Sequence, residues 1–313
     1  MNFRLLVLPA IIAFPITLHA ADAPDLDASS VVSFQETISN QYNTVVDQSN
    51  NSKLFGRIGF QFNNIDHHDT GDDEGSSDET NIDVLIGYDM GNYLIALESS
   101  YTSRISSDPV NNNGLRDGIQ NAIRIETKKN SDKTYGAYLL NYNAKDGTSE
   151  DQTNPYRDGY GFGVTYTQTL QENMTLGLVA GYMDVPSNDP SGDWDDRLHS
   201  TTYINPSLNV VLNNQISTNL SGYVVDGKED FGNDLDNIDI YGYGISIDYK
   251  LNEDLTISLS YKYDDYDEPE HNDYATEEFL GLGVKYSFGS NNPVFIKIPN
   301  HVVWNTSVDG HLE

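Results

Sequence analysis

LTISLSYKYDDY, residues 255–266, alternates without a break. Leu255, Ile257, Leu259, Tyr261 and Tyr263 fall on one side of an extended chain, and Thr256, Ser258, Ser260, Lys262 and Asp264 on the other. Successive side chains of a strand point to opposite faces, so this is a strand with one apolar and one polar face. The same parity recurs along the 313-residue chain in twelve segments: 53–63, 80–90, 92–104, 118–128, 133–144, 158–169, 173–185, 198–212, 215–226, 238–251, 254–265 and 277–288. Strands of soluble domains average ~5–6 residues. These are about twice as long, which matches the ~9–11 residues a tilted strand needs to cross a bilayer.

The connectors alternate as well. Gly91-Asn92, Lys129–Asp132, Gln171–Asn173, Asn213-Asn214 and Asn252-Glu253 are short, whereas 64–79, 105–117, 145–157, 186–197, 227–237 and 266–276 are long and polar. Short turns at one end and long loops at the other are the mark of an outer-membrane barrel, with the short turns periplasmic. Closure leaves no unpaired strand edge in lipid. The expected fold is therefore all-β, a twelve-stranded antiparallel transmembrane β-barrel of up-and-down type over 53–288. Its outward set includes Ile82, Val84, Ile86 and Tyr88 on one strand and Tyr241, Tyr243, Ile245, Ile247, Tyr249 and Leu251 on another. The 21 tyrosines cluster near strand ends, where an interfacial girdle would place them.

The chain opens MNFRLLVLPAIIAFPITLHA: one arginine, an apolar run from Leu5 to Leu18, then small residues at Ala20, Ala21 and Ala23. That is the layout of a secretory signal peptide, and the run is short for a spanning helix of ~20 apolar residues. Residues 1–20 are read as the signal, cleaved after Ala20, which sends the mature chain to the outer membrane of a Gram-negative bacterium. In the segment 21–52, Val31, Phe34, Ile38, Tyr42 and Val45 fall at helical spacing, and Ser33 with Glu36 resembles a capping box, which predicts a short helix near 34–48 that would thread the barrel or lie below it. The chain has no cysteine, so disulfides and thiol chemistry are excluded.

FLGLGVKYSFGS, 279–290, reads as the strand that closes the barrel. Its Gly283, Tyr286 and Phe288 resemble the C-terminal signature recognised by the outer-membrane assembly machinery, although here more chain follows. Residues 289–313 are expected to be a periplasmic tail, with folding back into the lumen as the other destination. A rival reading makes VFIKI and HVVWN two further strands, but both are too short to span. A helix followed by twelve strands is also the layout of autotransporter translocation domains. GYGFGVTYTQTLQENMTLGLVAGYMDV, 159–185, and GYGISIDYKLNEDLTISLSYKYDDYD, 242–267, look like the strand–turn–strand units of such domains. The resemblance implies a solitary autotransporter-type barrel or a monomeric porin of similar size.

Inward positions decide function. Arg57, Arg104 and Arg124 would oppose Asp83, Asp89, Glu98 and Glu126 across a constriction, as charge pairs do in porins. Inward glycines such as Gly163, Gly181 and Gly242 suggest an interior with room to spare. Acid dominates, with 48 Asp+Glu against 17 Lys+Arg. This excludes a nucleic-acid face, which would be basic, and suggests loops that contact lipopolysaccharide, take divalent cations or draw cations to the mouth. Asp66, His67, His68 and Asp69 are weak candidates for a metal on a long loop. His199 and Ser200 are adjacent and so point to opposite faces, and cannot by themselves form a nucleophile–base pair. The sequence-level reading is a porin-like channel for small hydrophilic solutes, neutral or cationic. It is not an enzyme and needs no cofactor. The competing reading is a plugged barrel with a structural or surface role.

Overall fold

Twelve strands form, and each pairs with both of its neighbours. They are β1 (Leu54–Asp69), β2 (Glu74–Asp89), β3 (Tyr93–Ser106), β4 (Arg116–Asn130), β5 (Lys133–Lys145), β6 (Tyr156–Gln171), β7 (Met174–Asp184), β8 (Leu198–Val211), β9 (Ile216–Phe231), β10 (Asp234–Lys250), β11 (Leu255–Glu268) and β12 (Asp273–Phe288). Consecutive strands are antiparallel neighbours, and β1 pairs with β12 from Gly56↔Phe288 to Asp69↔Ala275, which closes the barrel. This computed structural model describes residues 53–69, 74–106, 116–130, 132–145, 156–184, 198–231, 234–268, 273–289 and 296–300. The chain divides into two units, Met1–Ser52 and Lys53–Glu313, and every described residue belongs to the second. The expected signal peptide and the expected helix within 21–52 lie outside the described residues.

The parity read from the sequence sets the two faces of the wall. Outward side chains are apolar and exposed, among them Ile123, Leu139, Phe162, Ile245, Leu280 and Leu282. Exposed tyrosines flank them: Tyr88, Tyr93, Tyr135 and Tyr249 at the short-turn end, Tyr160 and Tyr241 toward the other. In lipid every backbone polar group must find a partner within the protein, and a closed ladder supplies one.

The short turns have local causes. Asn213 Oδ1 accepts from the N–H groups of Gln215 and Ile216, and Asn252 Oδ1 from those of Asp254 and Leu255. Gly91 adopts a φ of 91°, which a side chain would disfavour. Asp89 Oδ1 accepts from the Gly91 N–H at 2.7 Å.

One strand breaks the usual rule. Pro206 stands within β8, and the β8–β9 register passes from Ile204↔Val224 directly to Ser207↔Ser221. Proline has no N–H to give to the ladder, and inside a sheet it is confined to edges or bulges. Pro206→Val restores the missing donor. Its expected effect is a gain of about 0.5–1 kcal/mol, read as a later urea unfolding midpoint of the refolded barrel.

The strands run farther than the sequence suggests at the long-connector end. β1 continues to Asp69 and β2 begins at Glu74, so most of the segment 64–79, expected as a loop, is sheet. β12 likewise begins at Asp273 rather than at 277. Beyond the lipid both strand faces meet water or the lumen, so apolar alternation fades while the hydrogen-bonded ladder continues.

Candidate functional site

The lumen is the interior of the described barrel, and a buried cluster of side chains occupies part of it. Four inward glycines are beds for aromatic rings. Tyr138 packs against Gly163 and Gly181, Tyr203 against Gly181, Tyr223 against Gly242, and Phe55 against Gly87; a Cβ on any of these glycines would run into the ring. The Tyr138 and Tyr203 hydroxyls hydrogen-bond to each other. Leu140, Tyr142, Val179, Met183, Val225, Ile238, Ile240 and Tyr266 join them in one buried apolar cluster. At these four positions the glycines accommodate rings rather than widen the lumen: register places each of these rings over a glycine of a nearby strand.

The charged residues form two kinds of network: Arg124 pairs along the wall, and Arg104 of β3 reaches Glu277 of β12 across two intervening strands. Arg124 is 1% exposed and binds two carboxylates from its own region: Nη1 donates to Glu98 Oε2 at 3.1 Å, and Nη2 donates to Glu126. Thr165 Oγ1 donates to Glu126 Oε1 at 3.1 Å. Glu98 on β3 and Arg124 on β4 are on adjacent strands, so the pair lies along the wall and does not cross the lumen. Arg104 makes its ion pair with Glu277 of β12, the first residue of the last strand expected from the sequence, and its Nε donates to Ser77 Oγ at 2.9 Å. Asp83 takes Ser100 Oγ at 2.5 Å and a lysine from outside the barrel wall. Asp89 is the last residue of β2, and its carboxylate caps the Gly91 N–H of the β2–β3 turn. Arg57 is half-buried on β1 near Asp83.

A second network lies toward the long-connector end. His67 Nδ1 is 2.8 Å from Glu277 Oε1, and its Nε2 is 2.8 Å from Ser77 Oγ. Tyr266 donates to Glu277 at 3.3 Å and to Asp264 at 3.4 Å, and Lys262 pairs with Asp264. Glu79 accepts from Asn63 at 2.8 Å and Asn81 at 2.5 Å. Lower down, Lys285 Nζ is 3.0 Å from both oxygens of Asp248. Sequence reasoning missed Glu79 and the role of His67 because it read 64–79 as a loop, and it left Glu277, at the start of the last expected strand, without a partner.

The candidate metal set comes apart. Asp66, His67, His68 and Asp69 lie on β1, not on a loop, so neighbours alternate in direction. His67 turns inward to Glu277, while Asp66 and His68 are exposed. Among the described residues no three His, Asp or Glu side chains are placed to hold a metal. Of the expected assembly residues, Tyr286 and Phe288 face outward near the end of β12, where the Phe288 ring lies against Gly56, and Gly283 faces inward opposite Gln61 and Ser258.

Among the described residues, the segment after β12 supplies a further occupant. Ile296–Asn300 runs inside the barrel and forms no strand, so the described part of 289–313 takes the lumenal route rather than the periplasmic one. Arg124 Nη1 donates to the Ile296 carbonyl at 2.8 Å, Gln120 Nε2 to the Pro299 carbonyl at 2.8 Å, and the Ile298 N–H to Glu98 Oε1 at 3.3 Å. Lys297 Nζ reaches Asp83 Oδ2 at 2.7 Å, and Asn300 Nδ2 donates to Thr102 Oγ1 at 2.6 Å. Ile298 is completely buried within the apolar cluster. The physical reason is local: the wall carries polar groups that this backbone satisfies, and an apolar cluster that its isoleucine enters. The fourteen-strand reading is excluded by the closure of β12 on β1.

A closed antiparallel barrel of twelve strands, apolar outside and charged inside, is an outer-membrane-type β-barrel. No family model and no curated protein matches the sequence. Among solved structures, an outer membrane channel from Pseudomonas putida F1 matches with a TM-score of 0.57 at 11% identity, covering 76% of this chain and 96% of that one. The KdgM porin matches more loosely, with a TM-score of 0.41 at 9% identity over 73% of this chain and 99% of its own. So does the translocator domain of the autotransporter NalP from Neisseria meningitidis, at 0.39 and 12%, over 83% and 97%. At these identities the likeness is one of fold.

Proposed function

We propose that the chain is a porin-like channel of the outer membrane that passes small hydrophilic solutes, cationic or neutral. One observation carries this reading: an inner wall lined with charge inside a tube whose outer wall is apolar. Glu79, Glu98, Arg104, Arg124, Glu126, Asp264 and Glu277 are all buried in the lumen. Carboxylates outnumber cations in that set, and the whole chain carries a net charge of −31, which favours entry of cations. The channel is not an enzyme and needs no cofactor. Its outward face meets lipid and lipopolysaccharide, with divalent cations at the acidic rim. Gly283, Tyr286 and Phe288 are its signal to the assembly machinery, and its leader is removed at export. The fold match to an outer membrane channel supports the channel class.

A specific observation favours the plugged reading as the second one: Ile298 lies inside the lumen with no exposed surface. Conductance in a planar bilayer separates the two. The refolded protein is expected to give small cation-selective steps, and Lys297→Glu/Ile298→Asp is expected to give larger ones, because the segment narrows the passage without sealing it. Silence in both proteins would remove the channel reading. Conduction only in the variant would make the resting barrel closed.

A further inference from the structure

We propose that the lumen face of β2–β4 is a binding site for an extended peptide of the pattern apolar–Lys–apolar–Pro–Asn, filled in this chain by its own residues 296–300. The contacts divide as they do in sites that bind peptides in extended form. Three of them go to main-chain groups: the Ile296 and Pro299 carbonyls receive Arg124 and Gln120, and the Ile298 N–H reaches Glu98. Such contacts hold any extended backbone, and pockets for the side chains add specificity. Here the pockets are an acid and an apolar cavity. Asp83, held by Ser100, takes the ammonium of Lys297, and the buried cluster takes Ile298. Ile296 lies over Gly177, where a Cβ would collide with it.

The occupant is separable from its site. Residues 296–300 add no strand to the sheet, so no rung of the ladder breaks when they leave. A tethered segment competes at an effective concentration of around millimolar, so the site is filled in the resting chain. Freed of that segment, it accepts a second peptide of the same chemistry. The inference needs the barrel and its occupant, and conduction plays no part in it.

The test uses the full-length protein refolded in detergent, with heat-modifiable gel mobility as the check on folding. The probe is a fluorescent peptide of sequence IKIPN. Saturable binding is expected to the Lys297→Glu/Ile298→Asp variant, at least about tenfold tighter than to the intact chain, whose own segment competes. A peptide carrying Lys297→Glu should bind the variant about tenfold more weakly or worse. Adding Asp83→Lys to the variant should reverse the preference between the two peptides. Absence of saturable binding to the folded variant overturns the proposal. So does equal binding to variant and intact chain, or a peptide preference that ignores Asp83→Lys. Because binding is read without a current, this result and the bilayer result fail independently.

Discussion

Arg124→Ala is expected to lower the stability of the barrel by about 3–5 kcal/mol, the cost of leaving buried charge uncompensated. Arg124 is 1% exposed, and its guanidinium serves Glu98, Glu126 and the Ile296 carbonyl. Alanine leaves two carboxylates on adjacent wall strands with no cation between them. The loss thus exceeds what the ion pairs themselves contribute, since most of it is the desolvation of the orphaned acids. The urea midpoint of the refolded protein, followed by gel mobility, measures it. Adding Glu98→Gln and Glu126→Gln to Arg124→Ala should recover most of the loss, because neutral amides carry no uncompensated charge. A single variant that unfolds within about 1 kcal/mol of the parent, the range of exposed ion pairs, would mean that water reaches the guanidinium freely.

The second large effect tests which way the wall faces. Leu139→Arg should cost about 2–4 kcal/mol in a bilayer, and Ile105→Arg only about 0–1 kcal/mol. Leu139 is 64% exposed and lies six residues along β5 from Lys133, between Ile123 of β4 and Phe162 of β6. That places it near the middle of a band that a tilted strand crosses in ~9–11 residues. Ile105 is also exposed, but it lies twelve residues beyond Tyr93 on β3, past the end of such a band. The same substitution on the same outer face therefore differs only in depth. Equal costs in lipid vesicles would contradict a membrane-spanning wall.

What the sequence could show follows from where lipid imposes a pattern. On β10 and β12 the outward set, such as Ile245, Ile247, Leu280 and Leu282, was legible because a bilayer accepts nothing polar at those positions. Past the lipid the constraint disappears. His67 and Glu79 belong to strands, yet their surroundings in sequence are acid, serine and glycine, which read as loop. The glycines misled for a different reason. Parity puts Tyr138 and Gly163 on the same face, but whether the ring lies over the glycine or beside it depends on register, which no local pattern encodes. The lumenal segment was harder still. Five residues with no ladder, IKIPN, carry only the short alternation that reads as a stub of strand, and their partners Asp83, Glu98, Gln120 and Arg124 are spread over three strands.

The seam between β1 and β12 has a consequence in time. Every other rung of the barrel joins strands that follow one another in the chain, so each hairpin can zip as soon as its second strand is made. The fourteen pairs from Gly56↔Phe288 to Asp69↔Ala275 instead join residues about two hundred positions or more apart. Closing so long a loop costs entropy that no earlier contact returns, and such distant pairings are the slow ones. Until they form, β1 and β12 are bare edges, the only surfaces on which the nascent sheet could add a foreign strand. The side chains at that joint, Gly56 beneath the ring of Phe288, are therefore the last to meet, and the barrel stays open to miscopying of its edge for as long as they remain apart.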